Sequence, residues 1–133
     1  MIYCIYVLLC SFQKQKFNND YEIARAYTSL LKSKSIRSHN SCLLYSTRRH
    51  HMIQKRQSDG SLVKIYIHQL AVLHQLKLLS IPHQKVVSHL CGHPNCVRAS
   101  HLNLESQSMN LSRVACHNQV KCKTHGVKPL CIF

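Results

Sequence analysis

Residues 88–96 read SHLCGHPNC, and no other stretch restricts the fold of the chain so tightly. Three histidines and two cysteines fall between His89 and His101. Cys91, Cys96 and His101 stand at equal steps, with four residues between neighbours. This spacing suits a tight zinc loop, since zinc takes about four ligands at roughly 2.0–2.3 Å and favours thiolate and imidazole donors. His89 falls outside that series. It ends a short apolar run (Val86, Val87) that reads as a strand, and its imidazole is left available for chemistry.

A chain of 133 residues is one small domain, or one domain behind a short leader, with a thin core. Such a domain gains from staples. Its eight cysteines are Cys4, Cys10, Cys42, Cys91, Cys96, Cys116, Cys122 and Cys131. An even count could be a secreted disulfide framework. The interleaving of His101 and His125 at ligand-like spacing favours zinc in a reducing compartment instead.

Eighteen Lys and Arg face four acids, a net charge of +14 with histidine neutral. This imbalance points to a polyanion, with nucleic acid the default partner. A cationic peptide or a basic ribosomal-type protein is the plainer alternative. The acids are Asp20, Glu22, Asp59 and Glu105. That scarcity argues against glycosidases and carboxylate-bridged two-metal nucleases, both built on paired carboxylates. A catalytic metal must be held by other donors.

Met1 to Phe12 is apolar but too short to span a bilayer, which needs about 20 residues. It lacks the basic n-region and small-residue cleavage site of a signal peptide. Residues 1–19 read as a leader and 20–133 as the domain, with a motif core at 86–131; no membrane is expected. Asp20 can cap a helix from Tyr21 to about Lys32, where Ile23, Ala24, Tyr27, Leu30 and Leu31 recur at helical spacing. Lys32 to Asn40 reads as a basic, serine-rich loop, and Cys42 to Tyr45 as a short strand. Asp59-Gly60 is a hairpin turn signal. After it, Val63, Ile65 and Ile67 alternate with Lys64 and Tyr66, so the two arms could form a β-ribbon with a basic face. Arg48, Arg49, Lys55, Arg56 and Lys64 are its candidate DNA contacts, since a two-stranded ribbon fits the major groove. A solvated charged hairpin is the bland alternative. A helix follows from Ile67 through Leu70, Ala71, His74 and Leu78, ending before Ile81-Pro82. His68 and His74 read as ordinary helix residues. His101 to Leu104 reads as extended. Ser106 can cap a last helix, Gln107 to about Val114, which carries Asn110.

Two metal sets emerge. Cys91, Cys96 and His101 need a fourth donor. Cys42 is the best candidate, as the only cysteine in the middle of the chain, and it would tie the hairpin to the loop. Cys116, Cys122, His125 and Cys131 make a second Cys3His set. Fully occupied tetrahedral sites are structural and would replace the core this chain is short of. His93 and His117 could substitute as ligands. His89 and Asn110 suggest a separate chemistry. A neutral imidazole can deprotonate water for attack on phosphorus, and an Asn carbonyl oxygen suits a hard cation such as Mg2+. This arrangement needs no acidic ligand. The alternative is that His89 merely bonds a backbone carbonyl and Asn110 lies on the surface.

The run from Ser88 to Cys131 resembles the His-Cys box homing endonucleases, within the ββα-metal (His-Me finger, HNH-like) nuclease superfamily. His89, Cys91, Cys96, His101, Asn110 and Cys116 match in order and spacing. The upstream order of Cys42, basic hairpin, helix and SHLC is similar too. The resemblance implies a small α+β, zinc-stapled ββα-metal domain and a DNA endonuclease. It implies His89 as general base and Asn110 as ligand of the catalytic Mg2+. One zinc would sit on Cys42, Cys91, Cys96 and His101, the other on Cys116, Cys122, His125 and Cys131. The hairpin would read double-stranded DNA in the major groove, and cleavage would leave a 5′ phosphate. Arg56 is the candidate for the family's scissile-phosphate arginine, with Lys64 the substitute. The gaps within the second zinc set differ from the family type. The chain stops two residues after Cys131, without the tail that supports dimerisation in the family, which counts against a homodimer. An intracellular protein is expected, nuclear in a eukaryote. The rival functions are a zinc-dependent DNA-binding module without catalysis, a decayed nuclease, and a secreted disulfide-linked peptide.

Overall fold

The computed structural model describes residues 16–45, 51–119 and 130–132. Helix α1 (Asp20–Leu31) is the first element among the described residues. Its N-cap is Asn19, whose side-chain oxygen accepts the Glu22 amide at 3.0 Å. Asp20, expected to be the cap, is instead the first helical residue, where its charge suits the positive end of the helix dipole. Replacing Asn19 by Ala is expected to cost about 1 kcal/mol, read as a lower midpoint in urea denaturation; an unchanged midpoint would remove the cap from the account. Ile23, Ala26, Tyr27 and Leu30 are buried at helical spacing, so one face of α1 enters the core. Glu22 is buried beside them and accepts both the amide (2.8 Å) and the hydroxyl of Ser58. Those two bonds, with Arg25 alongside, hold its carboxyl below the usual range. Glu22 thereby pins the hairpin turn to α1. Phe17, read as part of the leader, is buried in the core, and its amide donates to the Leu79 carbonyl at 2.9 Å. Phe17 thus packs in the same core cluster as Ile23, Tyr27 and Leu30 of α1.

Strand β1 (Ile36–His39) pairs antiparallel with β2 (Cys42–Tyr45). The two-residue turn Asn40–Ser41 has φ of 44° and 63°, the doubly left-handed turn that matches strand twist. β1 falls where a loop was expected. Three of its four residues are exposed, so it carries no apolar alternation to read. The basic ribbon forms as expected, β3 (Met52–Arg56) against β4 (Leu62–Tyr66), with Met52 opposite Tyr66 and Arg56 opposite Leu62.

Helix α2 (Ile67–Leu76) starts as β4 ends. Ile67, His68, Leu70, Ala71, Val72 and Leu73 are all buried, so α2 is enclosed on most of its circumference and forms the centre of the core. It stops at Lys77, whose left-handed backbone (φ 56°) returns its N–H to the Leu73 carbonyl. This is ahead of Leu78, which was read into the helix. Strand β5 (Val86–His89) then pairs with β6 (Leu102–Glu105), His89 opposite Leu102. Between them runs the cysteine loop, closed by a 3-10 turn at Ala99–His101. Helix α3 (Gln107–Gln119) follows and outruns the expected end at Val114. The Ser106 hydroxyl accepts the Met109 amide at 3.3 Å, as the cap reading required.

Candidate metal centre and active site

Cys42 begins β2, Cys91 and Cys96 lie in the loop after β5, and His101 ends the 3-10 turn. Backbone pairing brings these pieces together. The Val97 amide donates to the Leu43 carbonyl at 2.8 Å, and the Tyr45 amide to the Asn95 carbonyl at 3.0 Å. The donor atoms of Cys42, Cys91, Cys96 and His101 all lie within 4.8 Å of one another, and all four residues are buried. His101 Nδ1 stands 3.4 Å from Cys42 Sγ and 3.7 Å from Cys96 Sγ. A sulfur and a nitrogen on one tetrahedral zinc are separated by about 3.6 Å, from bond lengths of roughly 2.3 and 2.05 Å. The donor set therefore fits zinc in both chemistry and size. Of the two substitute ligands, His93 is exposed, with Nδ1 3.5 Å from Cys42 Sγ. His117 is engaged elsewhere: its Nε2 donates to the Leu90 carbonyl at 3.1 Å. Its ring also lies against Gly92, where a Cβ would come within 3.1 Å of it. With φ at +71°, that position requires glycine twice over.

The three thiols cannot all ionise at such range. The Cys91 thiol donates to Cys96, which favours thiolate there and brings its pKa to about 5 despite burial; amides near Arg98 and Leu43 assist. The same bond and burial push Cys91 up. Cys42 is raised by burial and by the charge on Cys96. A cluster poised around one thiolate is a natural receiver for a divalent cation, which would remove the remaining thiol protons.

In the second set, Cys116 is buried on α3, and Cys131 Sγ lies 3.6 Å from Arg113 Nη1. Cys122 and His125 lie outside the described residues, as do Cys4, Cys10, Arg48 and Arg49. The five described cysteines form no disulfide with one another.

His89 closes β5 with its ring half-buried. Its Nε2 lies 3.2 Å from the Cys96 carbonyl. A carbonyl can only accept, so Nε2 carries the proton and the lone pair stays on Nδ1. The metal loop thus sets the tautomer of the histidine beside it. The His68 ring stands 5.1 Å from that of His89, and Tyr66 stacks on His68 at 5.7 Å. His68, read as an ordinary helix residue, is a buried neighbour of His89. Nothing in the local sequence signals this, because only the β4–α2 junction brings it there. Asn110 is half-buried in the first turn of α3, the helix that packs on β5.

The hairpin separates its basic residues. Met52, Gln54, Arg56, Leu62 and Lys64 point to the exposed face. Lys55 alternates to the other side, where its Nζ donates to Ser29 on α1 at 3.3 Å. Arg56 is at the tip, and its guanidinium donates to the Gly60 carbonyl at 2.9 Å. His68 and His89 lie beyond the opposite end of the ribbon, four residues or about 13 Å along the strand. The strand register places Arg56 at the end of the ribbon far from the β4–α2 junction.

Strands β5 and β6 and helix α3, built around a Cys3His cluster, define a small α+β zinc-binding domain of the His-Me finger class. The family model for the zinc-binding loop region of homing endonuclease matches residues 10–131, and the chain belongs to that family. No curated protein and no solved structure matches. Among the described residues, no helix is long and apolar enough to cross a membrane.

Proposed function

We propose that the protein is a DNA endonuclease that hydrolyses phosphodiesters with a histidine base and a single Mg2+. The observation that carries this reading is the bond from His89 Nε2 to the Cys96 carbonyl. It orients the imidazole with the proton on Nε2, so that in the neutral ring Nδ1 would be the atom to act as base. In this reading His89 Nδ1 takes the proton from the attacking water. Asn110 offers a neutral carbonyl oxygen to the cation, and phosphate oxygens and waters complete the shell. Mg2+, when bound, would stabilise charge on the phosphate and on the leaving 3′ oxygen, giving a 5′ phosphate product. Cys42, Cys91, Cys96 and His101 hold a structural zinc. Cys116, Cys122, His125 and Cys131 hold a second. In this reading the DNA substrate would put the protein inside the cell, in the nucleus of a eukaryote.

Double-stranded DNA lies on the exposed face of the β3–β4 ribbon. Arg56 and Lys64 contact it there, with Lys55 supporting from the α1 side; Arg48 and Arg49 are further candidate contacts by their charge. DNA affinity is expected to fall steeply with salt, by a log–log slope of about −0.9 for each phosphate neutralised. Lys64→Ala should make that slope shallower by about one contact. Fluorescence anisotropy across a salt series reads both effects, and affinity indifferent to salt would remove the ribbon from the argument. The function itself is tested by cleavage of supercoiled plasmid with zinc-loaded protein and Mg2+. Nicking or linearisation is expected. DNA shifted in a gel but never cut would mean a binding module or a decayed nuclease.

A further inference from the structure

Of the four acids in the chain, Asp20, Glu22 and Asp59 belong to α1 and the hairpin turn. Only Glu105 lies within the ββα unit, and it is buried. Its Oε1 accepts Arg113 Nε at 2.6 Å, and its Oε2 accepts Arg113 Nη2 at 2.9 Å. The same carboxylate accepts the Ser88 hydroxyl and, at 2.7 Å, the Asn103 side-chain amide. Arg113 is 1% exposed, the largest fully buried side chain described. Its third nitrogen, Nη1, reaches Cys131 Sγ at 3.6 Å. Burial would raise the Glu105 carboxyl, but the bonds from Arg113, Ser88 and Asn103 outweigh it and hold the group below its usual range.

The placement matters more than the pair itself. Ser88 immediately precedes His89 on β5. Arg113 follows Asn110 by three residues, so both lie on one side of α3. The ion pair therefore joins the residue next to the presumed base with the helical turn next to the presumed metal ligand. A two-pronged Arg–carboxylate contact fixes angle as well as distance, which a single charge would not.

We propose that the buried Glu105–Arg113 pair is a positioning clamp that holds the helix carrying Asn110 in register with the strand carrying His89. Neither residue touches the reacting atoms. The inference rests on the nuclease reading above, because it needs His89 and Asn110 to act on one phosphate. A general base and a metal ligand on separate elements must be aligned to a fraction of an ångström, and a displacement of about 1 Å can cost roughly 100-fold in rate.

The test compares the wild type with Glu105→Gln, with Arg113→Lys, and with the double variant Glu105→Leu/Arg113→Met. The double variant leaves no buried charge and guards against simple unfolding, since apolar replacement of a buried pair is often tolerated. The DNA dissociation constant should match the wild type in all three, and zinc content should match it in Glu105→Gln, which keeps Arg113 Nη1 beside Cys131. The expected result is a fall in kcat of about 100-fold for the double variant at unchanged KM. Arg113→Lys should fail to restore the rate, because lysine keeps the charge and loses the fork. Hydrogen exchange should show faster α3 amides in the same variants while the cysteine loop keeps its protection. Wild-type kcat in the double variant would overturn the clamp while leaving the nuclease reading intact. A wild type that never cuts would overturn both.

Discussion

Removing zinc with a strong chelator is expected to unfold the domain. Structural zinc contributes roughly 10–16 kcal/mol in small zinc-dependent folds. That matches or exceeds the net stability of a typical whole domain, about 5–15 kcal/mol. The packing around the cluster has little else to rely on. Cys42, Leu44, Cys91 and Cys96 form their own buried group, with Ile132 against it, and three of those four core side chains belong to the set that could hold the metal. Without the cation, three buried sulfurs are left packed together with the Cys91 thiol and nearby amides facing Cys96. The loss would spread. Val87, Val97 and Leu102 on the strands and loop of the cysteine half belong to the main core with α1 and α2, and the Tyr27 hydroxyl donates to the Val97 carbonyl at 3.0 Å. Circular dichroism melts with and without chelator read the effect. A melt indifferent to chelation would show that the core carries the fold alone.

His89→Ala is expected to abolish plasmid cleavage and leave zinc content and DNA binding in place. General base catalysis accounts for about 10²–10⁴-fold in rate, enough to take cleavage below detection in a plasmid assay. The fold should tolerate the change. The β5–β6 pairing rests on backbone bonds, and the imidazole is half-buried, outside the metal set. Removing it deletes the bond to the Cys96 carbonyl, and a water in the space vacated by the ring can satisfy that acceptor. Cleavage by both proteins would place the chemistry on another residue. Binding without cleavage by both would make the domain a DNA-binding module.

The cysteine cluster was legible in the sequence because metal ligands are few, chemically distinct and closely spaced; even distant Cys42 could be assigned by elimination. The β3–β4 ribbon was legible too, from Asp59-Gly60 and the alternation after it. β1 was not, since a strand with one half-buried residue leaves no periodic trace. The direction of Lys55 was lost for a related reason: a count of basic residues ignores the two-residue period that sends alternate side chains to opposite faces. His68 and the Glu105–Arg113 pair escaped for a deeper reason. Each gains its role from a partner on another element, twenty-one residues away for His68 and His89 and eight for the ion pair. No local pattern encodes such meetings.

The four donors of the cluster are unevenly distributed along the chain. Three fall within residues 91–101, while Cys42 is 49 residues upstream of Cys91. Closing a short loop costs less chain entropy than closing a long one, so capture of zinc during folding is expected to begin on the three local donors, with Cys42 joining last. Release along the same path in reverse is expected to start with Cys42, next to the β1–β2 turn. The residence time of the ion is then governed by how often that turn opens, and the rate of zinc transfer to a competing chelator measures its motion.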